Sequence, residues 1–387
     1  MKLENLKKNI DLKLIFISVF YFCVMFFFLF KFGINIGGEA FKYLLDAKSL
    51  LNGQGLNYGE FSYFYISYSF LIAVFLKLKI DLVFLSVFQI SLSFAAGFCL
   101  YKLLNKKITN RFVSLSLFVF YLFCYPIQKW IFFAYSEGVH TSLVVFGLYF
   151  FIKLIDDYSF KNLLLFFLIT FLIFTTRPVG IIFILATSFS LIIYFFTSHQ
   201  KKLFWIFCIS AIAALVVTLN SPFRYFINPD SLRRMEVICQ VPQKGNAAPY
   251  SQFNRTGLVG AFRVVKNEIG FMNFFKTGIQ KIQSFFGLTR SYFSFKNNLF
   301  LSLFWLFYPF AIIGAFNKRY QHFLMLKIFS VSYILMTSLA IFFTCDDWSD
   351  RFIAPVFPFV VLLATMGFLD IYILIKSPSQ TPPLQRL

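Results

Sequence analysis

Four short segments gather carboxylates, arginines and hydroxyls at the ends of long apolar runs. In the first, Ala40, Leu44, Ala47 and Leu51 fall at helical spacing after Gly38-Glu39, and Gly53 closes the pattern. At about 100° per residue, Glu39, Tyr43 and Asp46 share the other face, with the carboxylates about 10 Å apart along the axis. Such a carboxylate can serve as a general base toward a hydroxyl; the plainer alternative is a solvated face on an interfacial helix. In the second segment, Tyr135-Ser136-Glu137-Gly138-Val139-His140, Ser136 is placed to cap the next helix and Glu137 falls in its first turn. Glu137 and His140 are i, i+3 and would offer a divalent metal two ligands, which alone do not make a site.

The third segment, Thr175-Thr176-Arg177-Pro178-Val179-Gly180, sets an arginine before a proline suited to a helix start, an arrangement that favours phosphate. An arginine snorkelling to the interface is the simpler reading. The fourth, Asp346-Asp347-Trp348-Ser349-Asp350-Arg351 followed by Pro355, repeats the pattern before the last apolar run, where interfacial charge and a tryptophan anchor are the alternative.

The elements that must hold these groups are apolar. Of 387 residues 59% are hydrophobic, 61 are phenylalanine and only 13% are charged; the mean hydropathy is +0.74. Soluble domains are roughly 45–50% apolar, so the runs read as transmembrane helices, each long enough for about 30 Å of hydrocarbon. Eleven candidates fall at about 14–34, 62–79, 82–104, 112–128, 138–155, 162–176, 178–197, 203–219, 298–316, 322–344 and 352–375. If all cross with a cytoplasmic N-terminus, the basic loops 105–111 and 197–202 lie outside, against the positive-inside rule. Demoting 62–79, the most polar run, restores both loops and 317–322 to the cytoplasm and leaves about 10 spans. The expected fold is an all-α polytopic membrane protein: a single domain over 1–375, a first outer loop 32–81 with interfacial helices, a large outer loop 220–297, and a cytoplasmic tail 376–387. The basic start of the chain lacks a cleavage signal, which points to a retained first helix.

The net charge of +20 comes with no nucleic-acid motif, and topology and anionic lipid account for it. Eleven basic residues against three acidic ones lie between Asn220 and Asn297. Within that stretch, 270–286 sets apolar residues at helical spacing with lysines opposite, as on a membrane surface. Of six cysteines, only Cys239 and Cys345 lie outside apolar runs and could pair.

Taken together, Glu39-x3-Tyr43-x3-Ala47, Ser136-Glu137, Thr176-Arg177-Pro178-x-Gly180 and Arg351-Phe-x-x-Pro355-x-Phe-Pro358 resemble the GT-C superfamily of membrane glycosyltransferases: protein O-mannosyltransferases, aminoarabinose transferases and PIG-V-like mannosyltransferases. The resemblance covers most of 14–375. One departure is that the first-loop acid, most often Asp in an Asp-Glu pair, is here Glu39 preceded by Gly38. The resemblance implies a non-spanning pair of helices in the first outer loop and a polyprenyl-phosphate-linked sugar donor. The acceptor would be a lipid, glycan or protein, reached from the extracytoplasmic side of the plasma membrane in a multi-pass chain. Glu39 would be the base and Asp46 its reserve; Tyr43, Glu137 and Asp350 would bind substrate, and Arg177 and Arg351 would meet the leaving phosphate. No cofactor is implied beyond the divalent metal that Glu137 and His140 leave open. A transporter or flippase of lipid-linked saccharides is the rival; against it, the spanning runs carry almost no ionisable residues near mid-membrane, where a transport pathway would place them. A silent scaffold is the third reading.

Overall fold

The computed structural model describes residues 12–56, 59–107, 111–197, 236–238, 262–317, 323–346 and 350–376. Among them the chain is helical, with two isolated β-bridges and no strand. Its helices are α1 (Leu12–Phe32), α2 (Ala40–Leu51), α3 (Ile66–Lys77), α4 (Val83–Lys107), α5 (Arg111–Phe123), the short α6 (Tyr125–Gln128), α7 (Ser136–Asp156), α8 (Phe160–Thr176), α9 (Gly180–Thr197), α10 (Phe271–Gly287), α11 (Phe295–Ser302), α12 (Phe307–Phe316), α13 (Leu324–Phe343) and α14 (Phe357–Lys376).

Among the described residues, six helices are long and apolar enough to cross a membrane: α1, α4, α7, α9, the run from α11 through α12, and α13. Taken as one span, α5 and the segment beginning with α6, bent by 49°, would make a seventh. The bend has a local cause: Pro126 follows the break and has no N–H to continue the ladder. Large apolar side chains lie on the outside, with Phe16 71%, Phe30 86% and Phe316 82% exposed, which water would penalise and lipid tails accept. The sequence run 203–219 lies outside the described residues.

The chain divides into two compact units, Met1–Ile181 with Phe310–Leu326 and Val360–Leu387, and Ile182–Pro309 with Lys327–Phe359. In the first, polar groups inside the helix bundle satisfy one another. Gln128 accepts from the Tyr21 hydroxyl at 3.1 Å and from Ser93 at 3.2 Å, and donates to the Tyr121 carbonyl at 2.9 Å. Also in this unit, α12 and α14 cross at two glycines. A methyl group on Gly314 would fall on the Leu363 carbonyl, and one on Gly367 on that of Phe310. Small residues at such crossings let backbones touch inside a membrane.

In the second unit, the tilted rings of Tyr333 and Phe359 meet at 4.8 Å between α13 and α14, and Phe274 of α10 meets Phe342 at 5.4 Å. The amphipathic pattern of 270–286 is indeed a helix, but its lysines do not all face outward. Lys281 is buried and donates to the Thr344 carbonyl at 2.6 Å, while Phe271, Met272 and Phe275 are exposed. Cys345 is in a disulfide; Cys239, its expected partner, lies outside the described residues.

Two expected helix starts are corrected. The helix after Arg177 begins at Gly180, with Pro178 in the turn leading into it, and the last helix begins at Phe357, after turns over 351–356. In neither place is proline the first helical residue.

Candidate active site

The first unit draws three of the four chemical segments together. The segment after α1 is zipped to the one before α7 by backbone: Asn35 N–H donates to the Phe132 carbonyl at 2.8 Å, and Ala134 N–H to that of Asn35 at 2.9 Å. The Asn35 side chain accepts from Gly37 N–H at 2.9 Å, and the Tyr135 hydroxyl donates to the Gly37 carbonyl at 3.1 Å. Gly38 turns with φ +60°, a left-handed conformation that costs any other L-residue roughly 1–2 kcal/mol. A Cβ there would also stand 2.6 Å from the Tyr135 hydroxyl. This backbone demand explains why glycine, not an acid, precedes Glu39.

Glu39 occupies the N-cap position of α2 without capping it and pairs instead with Lys42 at 3.1 Å. Its side chain is 35% exposed, so a ligand can reach it. The Lys42 ammonium lies over the rings of Tyr65 at 4.3 Å and Tyr43 at 4.8 Å, a cation–π seat that directs it back toward Glu39.

The orientation of α2 reverses part of the sequence expectation. Tyr43 and Asp46 are buried along with Ala40 and Ala47, whereas Phe41 is 57% and Leu45 45% exposed. Tyr43 and Asp46 therefore do not form a solvated face; the helix turns its polar side inward and its large apolar groups out. A helix next to lipid gains by that choice, because hydrocarbon accepts Phe41 and Leu45 and leaves the interior to polar partners.

Tyr43 is the centre of the cluster. Its hydroxyl and that of Ser136 share a hydrogen bond of 3.2 Å, and its ring meets Tyr68 edge-on at 5.0 Å. Burial holds its phenol well above the usual pKa; Tyr65 and Glu137 push the same way, and Arg177 opposes them. The phenol is thus a neutral group within the field of Glu137, Arg177 and Glu39 at once. Ser136, expected as a cap, is the first residue of α7, and Tyr135 takes the cap position without a side-chain bond. The Ser136 hydroxyl serves Tyr43 instead.

Glu137, in the first turn of α7, and Arg177, just after α8, form an ion pair at 2.6 Å with side chains 0% and 4% exposed. The helix start favours the carboxylate, and the guanidinium supplies its counter-charge. Two hydrogen bonds fix the chain around Arg177. The hydroxyls of Ser67 on α3 and Thr175 share a 2.6 Å hydrogen bond, and Gly180 N–H donates to the Arg177 carbonyl at 2.9 Å. Gly180 lies so close to the Ile173 carbonyl that a side chain would collide with it. His140, one turn deeper on α7, is fully buried near Arg177. Among the described residues no group of three His, Cys, Asp or Glu is arranged to hold a metal.

Arg351 and Asp350 belong to the second unit. Arg351 is half-buried with its guanidinium 5.6 Å from the Phe352 ring. Asp350 is buried, in the left-handed region at φ +61°, and pairs with Arg290. Arg290 also donates to Asp346 at 2.6 Å and to the Ser284 carbonyl at 2.8 Å, and Ser284 donates to Asp346 at 2.8 Å. Sequence reading counted Arg290 only among the basic residues of a long loop. The signal that could have found it is the i, i+4 pair Asp346 and Asp350, which requires a cation once buried.

The chain matches no family model, no curated protein and no solved structure.

Proposed function

We propose that this chain is a membrane glycosyltransferase of GT-C type, moving a sugar from a polyprenyl-phosphate donor to a lipid, glycan or protein acceptor on the extracytoplasmic side. The observation that carries the reading is the grouping of Glu39, Tyr43, Ser136, Glu137 and Arg177, from three separate loops, around one buried phenol. In the proposed step, Glu39 takes the proton of an acceptor hydroxyl. The freed oxygen attacks the anomeric carbon from the face opposite the phosphate, the bond from that carbon to the phosphate oxygen breaks, and the phosphate keeps the electron pair. Arg177, held by Glu137, would meet the charge that develops on it. Tyr43 and Glu137 would fix the acceptor.

Topology supports the same reading. The Asn35–Phe133 bridge needs both residues on one face of the membrane, so an even number of spans separates them. α4 and the bent α5–α6 helix supply two; a spanning α3 would make three. The Glu137–Arg177 pair and the Lys106–Asp156 pair, at 3.2 Å, fit the alternation of α4, α7 and α8 between two faces. Adding the shorter α8 and α14 to the seven candidates makes nine among the described residues, and the sequence run 203–219 lies outside them. The disulfide at Cys345 supports an oxidising, outward location for its loop.

The test is sugar transfer in proteoliposomes loaded with a polyprenyl-phosphate sugar. Glu39→Ala should abolish transfer while the thermal midpoint stays within about 1 °C, because a half-exposed ion pair contributes little to stability. Full activity in that variant would remove Glu39 as base. Movement of the lipid-linked saccharide across the bilayer without transfer would replace the proposal with a flippase.

A further inference from the structure

Three successive residues of α3, Ser67, Tyr68 and Ser69, carry hydroxyls. The first shares its hydrogen bond with Thr175. Tyr68 and Ser69 are 1% and 0% exposed, and neither hydroxyl has a hydrogen-bond partner among the described residues. A serine in a helix can turn back on its own backbone, as Ser142 does on the Gly138 carbonyl at 2.9 Å. A tyrosine cannot, because the ring carries its hydroxyl away from the helix. Tyr21 and Tyr43 are as deeply buried and meet that need with Gln128 and Ser136. Tyr68 does not, and a buried donor left unpaired is costly to the fold.

The surroundings of the Tyr68 hydroxyl restrict what can pair with it. Burial holds the phenol well above its usual pKa, and Glu137 pushes the same way, so the hydroxyl keeps its proton to donate. A phosphate brought there would be repelled by Glu137, and an ammonium would meet a carboxylate that Arg177 already neutralises. The matching group is neutral and accepts a hydrogen bond; on the substrates of sugar transfer that is a hydroxyl. The Tyr68 ring stands edge-on to Tyr43 at 5.0 Å, and the Lys42 ammonium lies over Tyr43 at 4.8 Å and pairs with Glu39. Tyr43 thus links Tyr68 to the Glu39–Lys42 pair, and a single hydroxylated ring is wide enough to reach from one to the other. Lys42 and Glu39 have side chains 24% and 35% exposed, so a ligand enters from their side.

We propose that Tyr68 is a specificity-determining residue whose hydroxyl donates to a non-reacting hydroxyl on a sugar ring, in the donor or in a glycan acceptor. The proposal rests on the sugar-transfer reading.

The experiment compares wild type with Tyr68→Phe in proteoliposomes, using the polyprenyl-phosphate sugar that the wild type transfers, its singly deoxygenated analogues, and deoxygenated acceptors. Phenylalanine keeps the ring contact with Tyr43, so the thermal midpoint should be unchanged or higher, while kcat/KM falls about tenfold or more. One analogue should be about tenfold worse than its parent for the wild type and equal to it for Tyr68→Phe. A donor analogue that behaves so assigns the contact to the transferred sugar, an acceptor analogue to the acceptor. A lower midpoint in the variant, an unchanged kcat/KM, or analogues that lose the same factor with both proteins would each overturn the proposal. A wild type that transfers no sugar would overturn the transfer reading and this one with it, whereas wild-type transfer with an unaffected variant overturns this one alone.

Discussion

The ion pair between Glu137 and Arg177 is the strongest electrostatic commitment in the candidate active site, and breaking it should show in stability before activity is measured. The two groups are 2.6 Å apart with side chains 0% and 4% exposed, so neither can turn to water when its partner is lost. Removing one member of such a pair costs about 3–5 kcal/mol, because the other is left as an uncompensated buried charge. The two single variants should differ. Arg177→Met leaves a carboxylate that still has the start of α7 beside it, worth about 0.3–1 kcal/mol, and should fall at the lower end. Glu137→Gln leaves a guanidinium without that support and should fall at the upper end. With about 2.1 cal/mol/K of unfolding entropy per residue over 387 residues, these losses correspond to roughly 4–6 °C in the thermal midpoint. The double variant should lose much less than the sum, leaving a coupling of about 2 kcal/mol or more. Thermal unfolding in detergent, followed by intrinsic fluorescence for the four chains of the cycle, gives the number. Losses that add to within about 0.5 kcal/mol would mean that the two side chains do not act as a pair, and the account of how Arg177 is held would fail.

Gly38→Ala should destabilise by about 1–2 kcal/mol through its left-handed backbone, and it should lower sugar transfer further by moving Glu39, measurable as a loss of kcat larger than the loss of folded protein. Arg290→Gln leaves Asp346 and Asp350 buried without their cation and should cost about 3–5 kcal/mol; adding Asp350→Asn should recover part of it in the same unfolding assay. Lys281 predicts a pH dependence. Burial pulls its pKa from 10.5 to about 8, partly opposed by Glu236. Below pH 8 the ammonium is charged in both states and the full penalty, about 3 kcal/mol, is present. Between about 8 and 10.5 the unfolded chain binds the extra proton, so stability should rise with pH across that window. Lys281→Met should flatten the rise; a wild-type midpoint that falls from pH 8 to 10 would refute it.

Much of this was legible in the chain itself. Apolar runs of span length located the long helices, and the segments around Glu39, Glu137 and Arg177 were recognisable because charge is rare beside such runs. Periodicity also found α2, but it could not say which side faces inward. In water the apolar stripe would be buried; beside lipid Phe41 and Leu45 are exposed, and Tyr43 and Asp46 go inside. Ser136 had the residue type of a cap, yet Tyr43, 93 residues away, claims its hydroxyl. The late starts of α9 and α14 were hidden for a related reason: proline is compatible with a first helical turn and equally with the turn before it. Arg290 was invisible because its role depends on two carboxylates 56 and 60 positions further on.

The glycine crossing of α12 and α14 bears on how the protein is made. Segments emerge from the ribosome in order, so α12 enters the bilayer before α13 and waits for α14 to arrive. Until then Gly314 exposes its bare backbone to lipid tails, which cannot fill it as Gly367 does. Lipid offers no hydrophobic force to pull the two together; their association rests on backbone contact, which is complete only when both are in place. Completion of the first unit is thereby deferred until α14 is made, and a chain ending before residue 360 would keep its early helices but lack the piece that closes on Gly314.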